Sequence, residues 1–567
     1  IGLSPCYAES PIEIHILGVN KTIEKNIRAR ISISLTKETQ LTKEKVEKLH
    51  TSALKEIPLA IQPFGYYAPT IKASLGQVQN KWVANYKISL NKPTTISSLD
   101  LKLLGPGARD NTLSNIFDNV ALKVGDRCAH EPYEQSKKDI LSQVTHQGYI
   151  DANFAKHVIN VNLDTNHCQI ILHLDTKQQY HFSSVSFTGS ELDNQFIQRF
   201  VPFEPKDPYT PDKILILQHN LESSDYFRKV KLDGDIEPKN LDVPITVNLE
   251  DAKPNNYLLG AGFGTDTGLR GKIGWERRRI NRWGHRFETD LQLAQIYNRY
   301  QAQYIIPGRH PNTDNMKLLG RFTEDEYTEK TARIHELELS ETREIYGWQR
   351  SLALTYKTEG FQEFGSTDIE HSSLLLPSIS LTHVVSDDPA NPTHGKKITI
   401  LLLGSWDVLV SDTNFIQANL KYKWVHSAGA DGTWILRSEL GATLPDQTEK
   451  LPLSQRFYAG GDESIRGFQY RSLPSEIDED GNWRPVGGAY LGIASLEYVY
   501  SLTENLGLST FVDGGNAFKT RHDDIQVGAG FGIRWKTPIG PLRLALAKPF
   551  TDGAQSLRLH VAFGPEL

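Results

Sequence analysis

The residues with the most specific chemistry lie toward the carboxyl end. Arg466 stands in Ile465-Arg466-Gly467-Phe468, within a segment that opens Phe457-Tyr458-Ala459-Gly460-Gly461. A guanidinium is always charged and presents a planar fork of donors, so it can fix a loop's position on a carboxylate as well as balance its charge. Two carboxylates are placed to receive it. On Leu506–Gly515, Leu508, Thr510 and Val512 share one face while Phe511 and Asp513 share the other; on Tyr490–Tyr500, Glu497 opposes Leu496 and Tyr498. A period of two puts Asp513 and Glu497 on the polar face of their strands. The expected chemistry is an ion pair that seats Arg466 on Asp513 with Glu497 nearby, either bracing a wall or gating it. Gly467 would supply the turn, and Phe468 would pack on the wall.

Covalent chemistry has little support. There is no His-Glu-x-x-His, no Gly-x-Ser-x-Gly and no Gly-x-x-x-x-Gly-Lys. The 18 histidines are scattered; His130, His146, His157, His167, His173 and His181 group loosely and read as strand and loop residues rather than as a metal site. No enzyme, cofactor or metal is expected. The three cysteines form no Cys-x-x-Cys pair; Cys128 and Cys168 stand either as a disulfide of an exported chain or as two buried thiols. Residues 1–8 read as the tail of a secretory signal peptide, with Cys6-Tyr7-Ala8 as its small-x-small cleavage site. The basic run from Glu276 to Arg282, between Trp275 and Trp283, reads as a strand-turn-strand at a membrane interface. Asp478-Glu479-Asp480-Gly481 reads as a solvated loop.

These residues need elements to hold them. The chain has 567 residues, 39% hydrophobic and 23% charged, with 43 glycines. It is too long for one ordinary core. The mean hydropathy of −0.41 and the lack of long apolar runs exclude a helical membrane protein, but alternating strands would escape such an average. A net charge of −6 gives no support for nucleic-acid binding.

Beyond a Pro/Asn-rich linker at Asp251–Asn256 the period is two. Phe287, Thr289, Leu291 and Leu293 alternate with polar residues, as do Trp434 to Leu444, Val527 to Trp535 and Leu557 to Phe563. The segments are near the ~9–11 residues that cross a bilayer, and the region has room for about 16 of them at ~20 residues per strand and connection. The seam would join a first strand near Tyr257–Gly264 to a last near Ser556–Phe563. Gly260, Gly262 and Gly264 either weaken that seam or serve close packing, opposite Leu557, Leu559 and Val561.

The first ~250 residues read as α+β, with three blocks that repeat about every 80 residues. Each opens on an apolar strand ending in a glycine turn (Gly18, Gly105, Gly189) that feeds a helix. Each has a second helix ending at Gly65-Tyr66-Tyr67, Gly148-Tyr149-Ile150 or Asp225-Tyr226-Phe227, and closes on a strand pair.

The segment Phe457–Phe468 resembles the inward-folded loop of the outer-membrane assembly and two-partner secretion superfamily. Phe511-Val512-Asp513-Gly514-Gly515 is similar to its Phe-x-Asp-x-Gly strand, and Gly532 to Pro541 to its Gly-x-Arg-Trp-x-Thr-Pro-x-Gly-Pro turn. With three repeats ahead and the ending Gly564-Pro565-Glu566-Leu567, the chain most resembles the TamA family, the outer-membrane subunits of the translocation and assembly module. That resemblance implies POTRA domains at 9–92, 93–176 and 177–252, then a 16-stranded outer-membrane barrel at 253–567. It implies insertion of unfolded outer-membrane protein or autotransporter clients, contact with outer-membrane lipid, and a TamB-like inner-membrane-anchored partner on the first repeat. A two-partner secretion transporter or a passive porin is the alternative.

Overall fold

The computed structural model describes residues 12–563 apart from 37–40, 80, 119, 235–240, 328–329, 363–367, 389–391, 430, 446–450, 478–482, 520–522, 538–539 and 552–556. The signal-peptide reading at 1–8, the acidic stretch 478–481, the turn at 538–539 and the ending 564–567 lie outside the described residues.

Three α/β repeats share one sheet order. In the first, strand Ile12–Leu17 pairs parallel with Lys81–Ser89, which pairs antiparallel with Thr70–Val78. A parallel pair needs a crossover, and helices Lys21–Arg30 and Lys43–Ile61 provide it. Asn20 and Thr42 start them by accepting the backbone N–H of Ile23 and Lys45. Their Ile23, Ile27, Val46, Ala53 and Ile57 pack on Ile12, Ile14, Ile16, Ala84 and Tyr86 of the sheet. The second repeat orders Thr95–Leu104, His167–Asp175 and Asn153–Asn162 in the same way, and the third His181–Thr188, Asp242–Asp251 and Phe227–Gly234.

The six turn positions explain the repetition. Gly18, Gly105 and Gly189 have φ of 92°, 82° and 83°, and Gly65 and Gly148 have φ of 80° and 87°. A Cβ on Gly18 would fall 2.0 Å from the Ile88 carbonyl oxygen, and one on Gly189 2.2 Å from that of Leu249. Asp225, the position without glycine, takes φ 62° as Asp can.

One expectation fails. After Gly105 the described residues of the second repeat form only 3-10 turns, Pro106–Arg109 and Asn111–Leu113, where a first helix was expected. Gly105-Pro106-Gly107 has poor helix propensity. Gly107 sits against Thr176, which would lie 2.6 Å from an added Cβ, and the Asp110 side chain caps Thr112. In this repeat Cys128 and Cys168 are bonded to each other within the core.

By compactness the chain divides into Ile1–Ser186, Pro202–Leu217 and Leu232–Val247, and a second unit of Phe187–Val201, Gln218–Lys231 and Asn248–Leu567. The second unit holds sixteen antiparallel strands that pair in chain order from Asn255–Gly264 to Arg558–Phe563. Outward positions such as Ile273, Leu293, Leu339, Leu440, Leu508 and Phe531 are exposed apolar residues, while inward positions carry Glu336, Lys357, Glu439 and Asp513. That is the inverse of a soluble core and the pattern of a membrane barrel. Among the described residues no helix is long and apolar enough to cross a membrane. The segment between Gly432–Pro445 and Tyr490–Ser501 is a long loop carrying a small hairpin, Ser475–Ile477 with Trp483–Pro485.

Candidate functional site in the barrel

The long loop packs inside. Ile465, Phe468, Ala459 and Leu473 form an apolar cluster with Leu491 and Ile493 of one wall strand and Ala517 of the next. This apolar anchor delivers Arg466 to the strands Tyr490–Ser501 and Leu506–Phe518. There the guanidinium Nε and Nη2 donate to the two Asp513 oxygens at 2.7 and 2.8 Å, and Nη1 donates to Glu497 at 2.8 Å. The Arg466 backbone N–H also donates to Asp513 at 3.0 Å. Its guanidinium lies 3.4 Å from the centre of the Phe511 ring, a cation–π contact. All three charged groups are buried. Burial of charge is tolerated only when pairing and hydrogen bonds are complete, and here the two carboxylates are matched by Arg466 and by Arg534, whose Nε donates to Glu497 at 2.8 Å.

Backbone geometry enforces the approach. Gly467 has φ 101°. A Cβ on Gly528 would sit 1.9 Å from the Arg466 carbonyl oxygen, and one on Gly515 (φ 145°) 2.0 Å from that of Gly492. So Arg466, Gly467, Asp513, Glu497, Phe511 and Gly515 converge on one place. Ser495 joins them, accepting from Arg466 and Arg437 at 3.3 and 3.1 Å. Arg437 and Arg543 both donate to Glu463, at 3.1 and 2.8 Å. Sequence reasoning did not assign Arg534, Arg437, Arg543 or Glu463. The inward parity of their strands marks the three arginines.

The seam is sparse. Gly260 and Gly262 share the inward face with their neighbours Lys272 and Arg270, and an added Cβ on Gly262 would lie 3.0 Å from Arg270. The first and last strands form no ladder among the described residues. They meet where the Thr265 N–H donates to the Val561 oxygen at 3.3 Å and the Val561 N–H to Thr265 Oγ1 at 3.0 Å. Leu557 and Leu559 are exposed, with Leu557 just ahead of the strand. The basic run forms a strand-turn-strand, and Arg279 pairs with Asp251. The histidines of the second repeat pair locally, His173 with Asp100 and His130 with Tyr67.

A nearly closed antiparallel barrel with an internal arginine loop, preceded by α/β repeats, defines a class of outer-membrane assembly and secretion proteins. Residues 282–564 match the Omp85 superfamily domain, residues 13–90 match POTRA domain TamA domain 1, and residues 180–251 match the POTRA family described as a surface antigen variable number repeat. The chain belongs to the Omp85 superfamily, with POTRA domains ahead of its barrel. It is a Gram-negative outer-membrane protein whose POTRA domains are periplasmic. Two curated relatives are both named outer membrane protein assembly factor BamA. That of Nitratidesulfovibrio vulgaris is 26% identical over 182 residues, covering 31% of this chain and 23% of that protein. That of Neisseria meningitidis serogroup B is 20% identical over 457 residues, covering 68% of this chain and 56% of that protein. The chain thus spans less than two thirds of the length of either. The crystal structure of BamA from Haemophilus ducreyi lacking POTRA domains 1–3 superposes with a TM-score of 0.66 at 16% identity, covering 83% of this chain and 99% of that one.

Proposed function

We propose that the chain is a TamA-like insertase that assembles outer-membrane β-barrel proteins and autotransporters at its seam, together with a TamB-like inner-membrane-anchored partner on its first repeat. The observation that carries this reading is the seam itself. Two strand edges that form no ladder among the described residues, held by the Thr265–Val561 contacts, offer backbone to an incoming strand, while a buried ion pair holds the loop beside them. A client strand would pair on an edge by backbone bonds, which tolerate many sequences, and the client's own burial in lipid would drive the step. Arg466, Asp513 and Glu497 position the loop, and no covalent chemistry is required. The middle repeat, with the sheet order of its neighbours, is read as a third POTRA domain. Phospholipid traffic between the membranes is a further role the TamA reading carries.

The likeness of the first repeat to POTRA domain TamA domain 1 favours TamA. The BamA relatives favour a central assembly factor as the second reading. A cross-linked pull-down on the tagged full chain separates them. Recovery of one large β-rich protein with an inner-membrane anchor, lost on deleting residues 13–90, supports the TamA reading. Failure to recover an anchored partner, with client assembly intact, favours the central factor. One secreted protein recovered alone indicates a dedicated transporter.

A further inference from the structure

One group of side chains near the seam is not needed to seat Arg466. Asp462 of the internal loop, Asp266 of the turn after the first strand and His560 of the last strand bring their ligand atoms within 4.8 Å of one another. The composition suggests a divalent-cation site, but the hydrogen bonds assign the protons otherwise. The Gly467 N–H donates to His560 Nε2 at 2.8 Å, so that nitrogen carries no proton. In a neutral imidazole the proton is then on Nδ1, which faces Asp462 Oδ1 and donates to it. A cation on Nδ1 would require that proton to move to Nε2, where it would oppose the Gly467 N–H.

The contacts instead close a ring through both edges of the seam. The Val561 N–H donates to Thr265 Oγ1 at 3.0 Å, and that hydroxyl donates to Asp462 at 3.2 Å. Asp462 accepts from His560 and donates its own N–H to Asp266 at 2.7 Å. His560 returns to the loop through Gly467, the residue after Arg466. Gly461, with φ 106°, makes the approach possible, since a Cβ there would lie 2.5 Å from Asp266 Oδ2.

We propose that Asp462 is the latch of the seam, a loop residue that holds the first-strand turn through Thr265 and Asp266 and the last strand through His560. Seating of Arg466 and closure of the seam are then one event, and withdrawal of the loop releases both edges together. Thr265, Asp266 and His560 are positioning residues that act through Asp462. The inference rests on the reading of the seam as the client's port, and it predicts seam behaviour that is measurable without any client.

The test uses the full chain with Cys6→Ser, carrying Phe263→Cys and Phe563→Cys, which share the outward parity of Leu269 and Leu559 and stand opposite one another in the register of the Thr265–Val561 contact. The initial rate of oxidative cross-linking reports closure. Asp462→Ala and His560→Ala are each expected to change that rate roughly tenfold, the scale of a lost hydrogen bond to a charged group. The double variant should change it no further, because both belong to one ring. His560→Asn, whose amide N–H overlies Nδ1–H, should restore part of the parent rate. Thr265→Val removes one hydroxyl without endangering the fold and should move the rate in the same direction. Parent rates in both Thr265→Val and Asp462→Ala, in barrels that keep heat-modifiable migration, would overturn the latch. So would additive single effects, or a rate that chelator alters and added Zn²⁺ restores. Failure of client assembly with a normal latch response would count against the insertase reading alone.

Discussion

Replacing Arg466 by alanine removes three bonds to carboxylates, two to Asp513 and one to Glu497, and the longer one to Ser495. Glu497 keeps Arg534, so the charge left uncompensated is that of Asp513, which is fully buried. Stripping one partner from a buried pair costs about 3–5 kcal/mol, which is roughly two to three and a half powers of ten in the equilibrium between seated and unseated loop. Arg466→Lys keeps the charge, but its point-like ammonium cannot reproduce the fork, so a loss of about 1.5–3 kcal/mol is expected. Arg466→Ala with Asp513→Asn should recover much of the alanine loss, because both charges are then gone. The assay is trypsin cleavage within residues 451–489, together with single-channel conductance in planar bilayers. Unseating should expose the loop and widen the lumen in the order Ala, Lys, parent. Equal protection and conductance in all four proteins would refute the claim that this pair seats the loop.

Other outcomes follow from the repeats. Breaking Cys128–Cys168 by serine substitution at both positions frees a loop of 40 residues and should destabilise the second repeat by about 4 kcal/mol, read by hydrogen exchange in helix His130–Thr145; unchanged protection would contradict it. Gly18→Ala should destabilise the first repeat more than an ordinary surface change, because its Cβ would fall 2.0 Å from Ile88 O at φ 92°. Proteolysis of the full chain, with Gly125→Ala as a control that meets no atom within 4 Å but shares a positive φ, reads the difference. Burial lowers the pKa of His130 against the opposing pull of Glu134, from an ordinary value of 6.5. The unfolded chain then binds the proton more readily, so this residue's contribution is present above pH 6.5 and is lost as pH falls below that value through the lower pKa of the folded chain. Exchange protection of its helix should drop between neutral and mildly acidic pH, and His130→Gln should flatten that drop.

The lumenal site was legible where parity alone decides it. Strand alternation places Asp513, Glu497 and Phe511 inward, and a glycine-flanked arginine in an apolar loop needs buried carboxylates. The repeats were legible through their turn glycines, whose positive φ is a backbone requirement. The first helix of the second repeat was misread because the strand-glycine pattern outweighed the Pro and Gly that follow it. His560 and Asp462 were not legible as partners: they are 98 positions apart, and neither hydrophobic period nor local spacing carries such a contact. The bonding of Cys128 to Cys168 likewise depends on the fold of that repeat, which spacing alone does not specify.

The central claim is that clients enter through the seam, and locking it tests this most directly. With Phe263→Cys and Phe563→Cys in a Cys6→Ser chain, reconstituted into vesicles, insertion of an unfolded outer-membrane barrel is followed before oxidation, after oxidation and after mild reduction. The account predicts that insertion stops when the cross-link forms and returns when it is reduced, while either single cysteine leaves insertion unchanged. Undiminished insertion through a fully cross-linked seam would contradict it.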